Sequence, residues 1–216
     1  MKTLALKSFL LFSILAAANF WAAQVYSQQL SYFPSDESKL WIEGRSNVNE
    51  FECEANKYSG EATLFDEEED NTAFVQDVQE RLSLQVDIRV DGFECGKNKM
   101  NRDLQSALKS DNFPEITFLF DSAELLEMPK HPNDPFLVDV KGSLTVAGET
   151  RDIHFETRAY YLDVDKVRAI GNTTIRMSDF NVEPPTALLG LIKADDELTV
   201  KFDLIATEGG SGDQSP

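Results

Sequence analysis

Few residues in this chain are of a type and spacing that could do covalent chemistry. Cys53 and Cys95 are the only cysteines and His131 and His154 the only histidines. A thiol pair either forms a disulfide or supplies half of a metal site. Zinc takes four ligands in a tight tetrahedron, and no pair of histidines accompanies these cysteines, so no metal is expected. A disulfide between Cys53 and Cys95 is the expected state in an oxidising compartment. It would close a loop of about 40 residues and stabilise the fold by roughly 4 kcal/mol on the chain-entropy account. His131 sits in Pro129-Lys130-His131-Pro132-Asn133-Asp134-Pro135, a run of turn formers. His154 falls on the polar side of an alternating segment and should face water. Neither histidine belongs to a nucleophile-elbow or metal-binding motif. The densest charge cluster, Asp66-Glu67-Glu68-Glu69-Asp70, lacks the spaced oxygen ligands and turn glycine of a calcium loop and is expected to be a solvated hairpin loop. No catalytic residue and no cofactor is expected.

The elements that would position any site are strands. Leu82, Leu84, Val86, Ile88 and Val90 alternate with Arg81, Ser83, Gln85, Asp87 and Arg89, the period of a strand with one buried and one wet face. The pattern recurs at Ile116, Phe118 and Phe120, then at Phe136, Val138 and Val140 and on past Gly142 to Leu144 and Val146. It returns at Ile153, Phe155, Thr157, Ala159 and Tyr161, at Val167 to Met177, and at Leu198, Val200, Phe202 and Leu204. One-sided alternation indicates antiparallel pairing. Shorter strands are expected around Leu40 to Arg45, Val48 to Cys53 and Ala62 to Phe65. A single helix, Met100 to Ser110, presents Met100, Leu104, Ala107 and Leu108 on one side. One helix cannot cover so many apolar strand faces, so the sheet must close into a barrel or pack as a sandwich. The barrel is preferred because long strands would otherwise leave open edges. Gly142 and Gly171 interrupt strand patterns where bends or a ligand need room.

The ends carry different signals. Lys2 and Lys7 precede an apolar run from Phe9 through Ala23, too short for a comfortable membrane span. The expected organisation is a secretory signal over 1–27, cleaved near Ser27 or else at Ala23, with an uncleaved anchor as the competing possibility. A polar leader over 28–38, one domain over 39–206 and a disordered tail over 207–216 complete it. Export places the protein in the periplasm or outside the cell. The formal charge is -18, which repels nucleic acid and anionic headgroups and leaves both unlikely as partners. No later segment is apolar enough to anchor the mature chain in a bilayer.

Several segments resemble one family. Gly44-Arg45-Ser46-Asn47-Val48-Asn49-Glu50-Phe51, after Trp41, is similar to the opening strand pair of YceI-like proteins. Met100-Asn101-Arg102-Asp103-Leu104 followed by Pro114-Glu115-Ile116-Thr117-Phe118 resembles that family's helix with a basic-acidic pair and its Pro-x-Ile-x-Phe strand. Gly142-Ser143-Leu144-Thr145-Val146-Ala147-Gly148-Glu149-Thr150 resembles its hairpin, and Arg176-Met177-Ser178-Asp179-Phe180-Asn181-Val182 its Arg-x-Asp-Phe-Gly segment, with Asn181 in place of glycine. The matches run in order from about 39 to 206. The resemblance implies an all-β, eight-stranded, antiparallel, lipocalin-like barrel with one short helix. It also implies an isoprenoid quinone, polyprenyl or similar apolar lipid as ligand, in an exported protein that is not an enzyme. The cysteine pair and the acidic run depart from the general family pattern.

The lining positions expected on this basis are Leu84, Val86, Ile88, Phe118, Phe120, Val138, Leu144, Phe155, Ile175 and Phe202. Each could equally be structural core. Arg102 and Asp103 are expected to form a structural ion pair, the alternative being a place at the cavity mouth. Two other functions compete with lipid carriage: an interaction or stress module whose barrel is filled by its own side chains, and an enzyme acting on a lipid or quinone. The oligomeric state is open, a dimer included.

Overall fold

The computed structural model describes residues 28–66, 82–131, 134–187 and 190–209. The expected signal over 1–27, residues 67–70 of the acidic run and the chain beyond Gly209 lie outside these. The strands are β1 (Gln28–Pro34), β2 (Lys39–Ser46), β3 (Glu50–Ala55), β4 (Tyr58–Asp66), β5 (Leu82–Arg89), β6 (Phe93–Glu94), β7 (Glu115–Glu127), β8 (Phe136–Val146), β9 (Glu149–Asp163), β10 (Lys166–Arg176), β11 (Thr186–Ala187) and β12 (Ile192–Glu208). Helix α1 (Asn98–Ala107) lies between β6 and β7, slightly shorter than its apolar pattern suggested. Lys109 adopts a left-handed φ of 54° just past its end, a conformation that does not continue a right-handed helix.

These segments make eight antiparallel staves. β1 and β2 are one stave interrupted at Ser35–Ser38, β3 and β4 a second interrupted at Asn56–Lys57, and β5 and β6 a third interrupted by a 3-10 turn at Val90–Gly92. Strands β7, β8, β9, β10 and β12 are the other five. The ring closes because β12 pairs with β10 along one side and with both β2 and β1 along the other. Its register runs from Leu198 opposite Gly44 to Asp203 opposite Lys39, then from Ala206 opposite Pro34 to Glu208 opposite Tyr32. Closure removes the unpaired edges that an open sheet of these strands would present. At the first interruption Ser38 stands in for the missing ladder: its hydroxyl accepts from the Ile205 N–H at 2.9 Å and donates to the Ile205 carbonyl at 3.0 Å. Lys57 and Gly92 carbonyls accept from Arg89 and Asn56 N–H groups and serve the same purpose at the other two.

Two boundaries differ from expectation. Residues 28–38, expected to be a leader, contain a barrel strand: Leu30 pairs opposite Leu64 and Tyr32 opposite Ala62. Its polar composition hid a short alternation in which only Leu30 and Tyr32 need face inward, and without β1 a gap would open between β4 and the end of β12. The last strand likewise runs through Thr207 and Glu208, paired with Lys166 and Tyr32, so the tail starts later than Thr207.

One end of the barrel is sealed. Leu40, Ile42, Val90 and Phe93 from the staves meet Leu104 of α1, Leu108 just past its end, and Met177, Phe180 and Val182 from the turn after β10, in one buried cluster. Asn181 turns that segment with φ 53°, the left-handed geometry for which its glycine-like position calls. Cys53 of β3, within this cluster, and Cys95 after β6, packed against it, form a disulfide, 42 residues apart in sequence. The Arg102–Asp103 pair does not form. Adjacent helical residues point in different directions, and Asp103 instead bonds Lys99 one turn back.

Candidate ligand site in the barrel lumen

Inward-facing residues change character along the barrel. Near the sealed end they are buried; toward the other end they point inward and yet stay partly exposed, as at Leu30, Leu64, Leu84, Phe120, Leu125, Val138, Ala159, Ala169 and Leu204. Inward residues of the upper half are only partly buried, so that half of the lumen is less closely filled than the lower half, whose inward residues form the buried core. No charged residue occurs among the described inner positions between these two regions as far up as Ala206 of β12.

A layer of three phenylalanines separates the halves. Phe155 lies between Phe118 and Phe202, with ring centroids 5.8 and 5.5 Å apart and the rings tilted or edge-on, the arrangement aromatic quadrupoles favour. Two glycines make room for it. A Cβ at Gly142 would lie 2.5 Å from the Phe118 ring, and one at Gly171 would lie 2.5 Å from the Phe202 ring. The glycines noted in the strand patterns are therefore seats for rings that cross the lumen floor.

The ten expected lining positions all fall on inner faces but do not form one set. Ile88 and Leu144, 8 % and 7 % exposed, belong to the sealed core. Val86, Phe118, Ile175 and Phe202 pack onto that core from above. Leu84, Phe120, Val138 and Phe155 face the lumen without joining it. The alternation located the inner face; it carries no information on height along the barrel, which depends on strand tilt and on where α1 docks.

At the mouth, Phe136 meets Tyr161 edge-on with centroids 5.5 Å apart. Partial desolvation raises the phenol pKa of Tyr161, which is more than half exposed at the rim. It does the same for Tyr32, with Glu208, Tyr161 and Asp165 adding to the shift, so both stay neutral well above pH 7. Exposed apolar side chains continue over the rim at Leu126, Met128, Leu162 and Val164. Sequence reasoning missed Leu30, Tyr32 and the polar inner residue Thr157; the last stood inside a quoted alternation, where an apolar pattern gave no reason to single it out.

Two depressions mark the outer wall. One of about 1150 Å³ is bordered by Glu43, Arg45, Glu52, Arg176, Lys193 and Glu197, and another of about 430 Å³ by Trp41, Arg158, Ile170 and Lys201. Their mixed charges suit water better than an apolar chain. His131 and His154 are both exposed. Among the described residues no group of three His, Cys, Asp or Glu is placed to hold a metal ion, and no described helix is long and apolar enough to cross a membrane.

A closed barrel, sealed by a short helix and lined by these segments, is matched along residues 34–206 by the model of the YceI-like domain. The chain belongs to the YceI-like family. Solved structures with the YceI-like fold include BcnA of Burkholderia cenocepacia, 23% identical, TM-score 0.58, covering 79% of this chain and 96% of its own. A polyisoprenoid binding domain from Saccharophagus degradans, implicated in plant cell wall breakdown, is 14% identical with TM-score 0.63, covering 84% and 100%. The Campylobacter jejuni YceI protein is 20% identical with TM-score 0.55, covering 73% and 85%. At these identities the likeness is one of YceI-like fold. Comparison with curated proteins gives no match.

Proposed function

We propose that this protein binds and carries an apolar lipid of the polyisoprenoid type, an isoprenoid quinone or polyprenyl chain, in the upper lumen. The observation that carries this reading is the uncharged, apolar, still accessible inner wall above the phenylalanine layer. Each CH₂ moved from water into such a wall is worth about 0.8 kcal/mol. The binding domain from Saccharophagus degradans, a polyisoprenoid binder by description, shares the fold and supports the choice of ligand class. Of the expected lining residues, Leu84, Phe120, Val138 and Phe155 contact the chain and Phe118 and Phe202 its lower end; Ile88 and Leu144 serve the core. The barrel acts by binding, without catalysis. The partial exposure of the upper inward residues favours this reading over a barrel filled by its own side chains. Export to the periplasm or beyond goes with the disulfide, which persists where the medium is oxidising.

The test is native mass spectrometry of the protein purified from its host, followed by organic extraction. A stoichiometric apolar adduct released on denaturation is expected. A clean protein mass that stays unchanged after incubation with polyprenyl lipids and quinones overturns the proposal.

A further inference from the structure

The lumen contains one polar feature that an apolar chain does not explain. Thr157 is 6 % exposed, and its hydroxyl has no hydrogen-bond partner among the described residues. It shares the inner face of β9 with Phe155 and Ala159. Val138 of β8 lies opposite on one side and Gly171 of β10 on the other. The Phe202 ring occupies the place over Gly171 that a side chain would fill, so Thr157 lies in the phenylalanine layer at the lumen floor. From Asp163 at the mouth, six residues of tilted strand put it about 15 Å deep.

A buried hydroxyl left without a partner gives up its hydrogen bonds to water and gains none in return. Valine would fill the same volume without that cost, so a purely structural role for the position favours valine. Threonine, by contrast, offers one donor and two acceptor lone pairs. The inner wall around it has no charge to neutralise an ionic group, and an unpaired ion there would carry a far larger desolvation cost than a neutral group.

We propose that Thr157 is the polar contact of the lumen: it hydrogen-bonds an uncharged oxygen-bearing group, a carbonyl or hydroxyl, at the inner end of an amphiphilic ligand. The bond forms when Phe202 turns off Gly171 and yields its seat to that group. This rests on the carrier reading and narrows it: the ligand enters polar end first, with its apolar chain running to the mouth between Tyr32 and Tyr161.

The experiment compares two probes on the full chain, decylubiquinone, which carries ring carbonyls, and dodecylbenzene, of similar apolar bulk without them. Affinities come from displacement of a pyrene-labelled alkane bound in the lumen. The wild type is expected to prefer the quinone. Thr157→Val is expected to weaken quinone binding about tenfold, the equivalent of one hydrogen bond, while leaving dodecylbenzene unchanged; Thr157→Ser keeps the preference. Without ligand, Thr157→Val is expected to melt above the wild type, because an unpaired hydroxyl has been removed. Equal loss for both probes, no loss for either, or a lower melting temperature in the empty variant each overturns the role of Thr157 and leaves the carrier reading standing. Failure of the wild type to bind the labelled alkane or either probe overturns the carrier reading itself.

Discussion

The Arg168 guanidinium grips both carboxylate oxygens of Asp203, at 2.7 and 2.6 Å, across neighbouring strands of the outer wall. The hydrogen bonds from Arg168 hold the Asp203 pKa below its ordinary value of 3.8, and paired N–H and O–H donors of Ser178 do the same for Asp196. A carboxylate whose folded pKa is depressed adds stability that is fully present above the unfolded value and is lost as pH falls through the folded one. Thermal melts are therefore expected to be flat from neutral pH down to about 4 and to fall below it. Asp203→Asn should cost about 1 kcal/mol at pH 7, the upper range for a partly exposed ion pair, and flatten part of that acid limb. A melting curve of Asp203→Asn with the wild-type slope below pH 4 would show that the pair contributes nothing. Gly142 tests packing at the same scale. A Cβ there would clash with the Leu119 carbonyl as well as the Phe118 ring; backbone cannot give way as a side-chain tip can. Gly142→Ala is expected to lower stability in urea by about 2 kcal/mol.

Strand β9 shows how one element serves two purposes. Its lower part, at Ile153, packs onto the sealed core, while Phe155, Thr157 and Ala159 form floor and wall of the lumen. Removing the Phe155 ring deepens the lumen without touching the helix that seals the base. In a series of straight-chain alcohols, affinity should rise by about 0.8 kcal/mol per CH₂ until the chain reaches the floor. Phe155→Ala should move that plateau to chains several carbons longer; an unchanged plateau would mean that the phenylalanine layer is not the floor. Period-two alternation made β5, β7, β8, β9, β10 and β12 legible in the sequence, because an antiparallel strand with one wet face writes its orientation into every second residue. β1 was not legible, since two inward residues among polar neighbours are too few to show a period. The split of the lining residues into core and lumen was not legible either. Ile88 and Leu84 are the same kind of residue on the same strand face, separated only by how far each lies from the plug that α1 and the Met177–Phe180 turn insert.

Over the whole molecule, the three interrupted staves lie side by side, β1–β2, β3–β4 and β5–β6, and crease one wall at a common level. The disulfide ties β3 to the segment after β6 on the sealed side of that crease. Replacing both cysteines by alanine should lower unfolding stability by about 4 kcal/mol, the chain-entropy value for a loop of this length. It should leave the lipid affinity of the folded fraction nearly unchanged, a result that urea titration and ligand displacement together would read. Loss of affinity in step with stability would show that the base and the lumen are one unit. With the helix plug, the buried cluster and the covalent tie all gathered below the phenylalanine layer, the upper wall is relieved of most of the task of holding the chain folded. Substitutions there can reshape the inner wall at little risk to folding, so the proposed carrier is free to change its ligand over generations while its foot stays the same.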